Sequence, residues 1–115
     1  MSDLFHLAVI AQKCSGLNSA LYQFLPDKPE VLLMIKQKAY AHSTDFMLQA
    51  ALFLNQKGQL SETEIINELQ SNIPVIAEQF KVKFKKQQLA TGNIMDGAVK
   101  EEIDFCQSIH TPVKR

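Results

Sequence analysis

The chain has 115 residues, 46% hydrophobic and 21% charged, with twelve Lys plus Arg balanced by twelve Asp plus Glu. That length suits one domain, and the balance excludes disordered, collagen-like and polyelectrolyte classes. A domain of this size buries roughly 65% of the surface its unfolded chain exposes, enough for a core without metal or disulfide staples.

Most of the chain reads at helical period. From Asp3 to Leu25, apolar residues recur at Leu4, Leu7, Ala11, Cys14, Leu17, Leu21 and Phe24. Ser15-Gly16 predicts a kink or break there, because Gly costs about 1 kcal/mol in a helix interior. Phe5, Val9 and Ile10 lie off the stripe. A helix apolar on more than one face is either central to the fold or pressed against a second chain.

Pro26 ends this element, and Asp27-Lys28-Pro29-Glu30 restarts the chain, with Asp27 as cap, Pro29 in the first turn and Glu30 returning the bond. The next stripe runs Leu32, Ile35, Ala39, His42, Phe46, Gln49 and Phe53, towards a left-handed stop at Gly58. Ser43-Thr44-Asp45 offers a fresh cap, which predicts a joint near His42.

Ser61 followed by Glu64 is a capping box, so a helix starts at Glu62. Its stripe of Ile66, Leu69, Ile73, Ile76 and Phe80 continues past Pro74, where a kink or restart is predicted. Phe80 to Lys85 alternates like a strand, but no neighbouring segment supplies a ladder partner. Continued helix with Phe80 and Phe84 stacked is therefore favoured. Thr91-Gly92-Asn93 makes a turn, and Asn93 caps a last helix that turns Met95, Val99, Ile103, Cys106 and Ile109 inward before Pro112. The expected fold is all-α, a small bundle of four to five mostly antiparallel helices, bent at Gly16, His42 and Pro74. Residues 1–110 form the domain and 111–115 a short basic C-terminal tail.

Few residues suggest chemistry. Export and membrane-spanning segments are not expected, because the apolar runs are short and Asp3 stands where a secretory signal needs positive charge. Cys14 and Cys106 match no CxxC pattern, so two buried free thiols and a cytoplasmic location are expected. His6, His42 and His110 are far apart, and none has a second His or Cys one helical turn away, which disfavours a metal. Asp45 beside His42 would repel a phosphoryl group on the imidazole. There is no GxSxG elbow and no Gly-rich phosphate loop, while Glu101, Glu102 and Asp104 fit a solvated helix face. Neither catalysis nor a cofactor is expected.

Apolar residues exceed what one core face per helix requires, which points to a noncatalytic protein-interaction module, such as an adaptor, chaperone-like or regulatory protein. Its partner would be another protein or itself as a homo-oligomer, with Phe5, Val9, Phe80 and Phe84 as contact residues. The alternative is a nucleic-acid-associated regulator using Lys81, Lys83, Lys85 and Lys86. Eleven of the twelve basic residues are lysine, and Arg115 stands alone at the end. The planar fork that reads guanine is thus missing from the body of the chain.

Overall fold

The first helix, α1 (Asp3–Phe24), is the axis around which the computed structural model is built, and the structure describes residues 3–94 and 97–112. It is followed by α2 (Glu30–Lys57), α3 (Glu62–Thr91) and α4 (Gly97–Ile109). The described residues are all-α, in four helices with bundle-like contacts. All three later helices pack on α1, and Cys14, Ser15, Gly16, Leu17 and Asn18 at its middle are buried in succession. A helix wrapped on several sides needs apolar or small residues on several sides, and this accounts for the breadth of its pattern.

Ser15-Gly16 does not break α1. A Cβ at Gly16 would sit 2.7 Å from Ile76 Cβ and 3.2 Å from the Ala77 backbone nitrogen, so glycine is what lets α1 and α3 cross this closely. On the α2 side, Ser15 Oγ donates to the Ser43 carbonyl at 2.8 Å and Ser43 Oγ donates to the Ser15 carbonyl at 2.9 Å. The conformational cost of glycine is offset by contacts on both sides.

The expected joint near His42 is absent, and α2 runs unbroken. Each residue of the supposed cap is engaged elsewhere: Ser43 bonds α1, Thr44 Oγ1 donates to the Tyr40 carbonyl, and Asp45 pairs with His110. At the start of α2, Pro29 occupies the cap position without a side-chain bond, and its carbonyl accepts from Leu32 N. Asp27 pairs with Lys36 at 2.9 Å instead of capping. The predicted stop at Gly58 is present, with φ 76°.

Helix α3 begins where the sequence placed it. Ser61 Oγ accepts from Glu64 N at 3.2 Å, and Glu64 Oε1 accepts from Ser61 N at 3.0 Å. The helix continues through Pro74, which is exposed. Residues 80–85 are helical, with the Phe80 and Phe84 rings stacked at 6.2 Å. Gly92 caps α3 with φ 78°. The last helix is described from Gly97, and the Asn93 backbone N–H donates to Thr91 Oγ1 at 3.3 Å; the expected Asn93 cap falls on residues 95 and 96, outside the described residues. Val99, Ile103 and Cys106 face inward as expected, Ile109 is exposed, and Met95 lies outside the described residues.

The free-thiol expectation is overturned. Cys14 and Cys106 form a disulfide, with Cα atoms 5.6 Å apart, because α4 folds back over the middle of α1. The bond lies within the larger core cluster, which includes Leu17, Leu21, Phe46, Phe80, Phe84 and Ile103. A second cluster of Ala8, Ala11, Ala50, Leu54, Ile65, Leu69 and Ile73 fills the end near the α2–α3 connection.

Candidate functional site

The apolar excess survives folding. Near the α2–α3 connection, a groove of about 330 Å³ is lined by Leu48, Ala51 and Leu52 of α2 and by Ile65 and Ile66 of α3, with Asn55 and Glu62 as its polar members. Leu52 and Ile66 are each 52% exposed. The two helices pack lightly on one another and extensively on α1, so their seam stays open on the far side. A trough with apolar walls and a polar edge has the form that accepts the apolar face of a helix. Glu62 and Glu64 in the first turn of α3 make the nearby surface acidic.

Of the contact residues expected from sequence, Phe5 and Val9 are exposed on α1. They line a separate cleft of about 300 Å³ with Gln12 and the α3 residues Glu68, Asn72, Val75, Ile76 and Gln79. Phe80 and Phe84 are 4% and 0% exposed and belong to the core, so the structure does not place them with Phe5 and Val9. A Phe pair four apart reads the same in sequence whether it faces a core or a partner, and here α1 and α4 cover it. The residues missed were Leu52 and Ile66: Leu52 belongs to an apolar width beyond the α2 stripe, whereas Ile66, expected on the inward stripe of α3, is exposed.

The four lysines do not form a single stripe, since at 100° per residue they fan around the sides of α3 that face away from the core. Lys81 pairs with Glu78 at 2.6 Å and donates to Gln23 Oε1 at 2.8 Å. Lys83 lies 3.5 Å from Glu102 and 5.1 Å from the centre of the Phe80 ring. Lys85 and Lys86 are exposed. Acidic neighbours at two of the four reduce the positive field that a phosphate backbone would meet.

The histidines that sequence separates are partly reunited. His110, just past α4, bonds Asp45 Oδ2 through Nε2 at 2.8 Å, its ring stacks on His42 at 3.7 Å, and Phe46 meets it edge-on at 5.5 Å. Burial and the neighbouring His110 lower the His42 pKa from its ordinary value, Lys38 adds to this, and Asp45 opposes it. Gln49 donates to the Thr111 carbonyl at 2.9 Å beside this stack. These contacts fasten the end of α4 to α2. Among the described residues, no group of three or more His, Cys, Asp or Glu is placed to hold a metal ion, and no helix is long and apolar enough to cross a membrane.

Comparison with protein-family models, curated proteins and solved structures finds no match to this chain.

Proposed function

We propose that this protein is a noncatalytic protein-interaction module that docks an amphipathic helix of a partner in the α2–α3 groove. The observation that carries this reading is the trough itself, with Leu48, Leu52, Ile65 and Ile66 presented in a concave seam. Apolar anchors spaced three and four apart on the incoming helix would enter it. Basic residues flanking those anchors would meet Glu62 and Glu64, which suits steering and register more than raw affinity.

The Cys14–Cys106 bond turns the reading of location away from a reducing cytoplasm. Disulfides form and persist in oxidising compartments, and this one is buried between α1 and α4. We therefore place the module's working environment in such a compartment.

The test is Leu52→Asp combined with Ile66→Asp, two exposed positions whose change leaves the core intact. Affinity capture from the native host should recover a partner with the wild-type chain and lose it with the variant, while both show the same circular dichroism and melting. Equal recovery by the two proteins, or no recovery by either, overturns the docking role.

A further inference from the structure

Val75, Val82 and Leu89 stand seven residues apart on α3 and are 56%, 54% and 80% exposed. A seven-residue interval keeps side chains on one side of a helix. At 100° per residue, this side lies opposite the inward face formed by Ile73, Ala77, Phe80 and Phe84. The row therefore adds nothing to the core of a single copy. A line of large apolar side chains on an outer helix face marks an interaction surface.

Charge is ordered along the same face. Glu78 lies between Val75 and Val82, and Lys85 lies between Val82 and Leu89, both exposed and on one flank of the row. Glu78 Oε1 also holds Lys81 at 2.6 Å on the flank turned towards Gln23 of α1. A carboxylate accepts at two oxygens, so one lysine does not saturate it.

We propose that this outer face of α3 is a homodimer interface, in which two copies of α3 pair antiparallel about a two-fold axis near Val82. Such an interface is isologous, bringing residue i against j and j against i. Val82 then meets its own counterpart, Val75 meets Leu89 of the second copy, and Glu78 meets Lys85 of the second copy. The symmetry produces the last pair twice. Parallel pairing would instead carry this flank to the opposite side of the seam, parting Glu78 from Lys85 of the second copy and setting Lys85 near its Lys86, so charge complementarity favours the antiparallel direction. The inference goes beyond the groove reading and does not depend on it, since the Leu52 and Ile66 variants leave this face unchanged.

Sedimentation velocity of the full disulfide-bonded chain over a concentration series is the test. The wild type should dimerise with rising concentration, and Val82→Arg should weaken dimerisation by about tenfold or more by burying two like charges at the axis. Glu78→Lys and Lys85→Glu should each weaken it by about tenfold, and the double reversal should restore it. If melting shows that Val82→Arg disturbs the fold, Leu89→Lys at the more exposed end of the row gives the same test. A monomer at every concentration up to about 1 mM overturns the proposal. So does a dimer indifferent to the apolar substitutions, or a double reversal that fails to recover association.

Discussion

Cys14 at the middle of α1 is bonded to Cys106 in α4, across 92 positions of sequence. The bond joins the most buried helix to the shortest one, and α4 makes few other contacts with the bundle. Closing so long a loop restricts the unfolded chain strongly, and removing a disulfide of this kind costs about 2–4 kcal/mol. Reduced protein, or Cys14→Ala with Cys106→Ala, should therefore unfold at a markedly lower urea midpoint. Alkylation with and without reductant, read by mass spectrometry, reports whether the bond is present. An unchanged midpoint after complete reduction would show that α4 does not rely on it.

Gly16 allows a second close approach. Gly16→Ala should gain about 1 kcal/mol of helix propensity and lose about 1–3 kcal/mol or more through overpacking against Ile76. The expected net effect is destabilisation. Ile76→Ala removes the γ carbon in the way but leaves the Cβ at 2.7 Å, so it relieves part of the clash and the double variant should be somewhat more stable than the two single losses predict. Additive losses in urea denaturation would argue against this steric account.

What could be read in advance divides along the range of the interaction. The Ser61–Glu64 box and the Gly58 stop each lie within a few residues, and both appear in the structure where the local chemistry placed them. The outward row of Val75, Val82 and Leu89 was present in the spacing, but its exposure depends on which face α1 covers. The Cys14–Cys106 bond and the Asp45–His110 pair span 92 and 65 positions. No local pattern encodes them. Asp27 and the Ser43-Thr44-Asp45 run illustrate the converse: good capping residues were drawn into longer-range bonds with Lys36, Ser15 and His110. Phe80 and Phe84 were legible as a helical pair, while the side on which they would be buried was not.

That distinction separates core from surface aromatics experimentally. Phe84 is fully buried, with Phe24 edge-on to it at 5.7 Å, so Phe84→Ala should cost about 3–5 kcal/mol of stability. Phe5 is exposed, with the Lys57 ammonium 4.6 Å from its ring centre. Phe5→Ala should change stability by at most about 1 kcal/mol, including any cation–π loss. Chemical denaturation of the two variants decides the matter. A small effect at Phe84 would contradict its place in the core.

The His42–His110 stack gives the fold an acid-sensitive step. Because the His42 pKa in the folded protein is lowered from 6.5, the unfolded chain takes up a proton there at higher pH than the native one does. Stability from the neutral imidazole is thus complete above pH 6.5 and is lost as pH falls from that value through the depressed native one. His42→Phe keeps a ring against His110 while removing the titration, and should flatten the decline. Glu64, whose pKa is lowered by its bonds to Ser61, adds a separate loss below its ordinary value of 4.5. Urea midpoints measured from about pH 8 to about pH 5 resolve the histidine limb. If the wild type and His42→Phe lose stability in parallel over that range, the acid response arises elsewhere than in this stack.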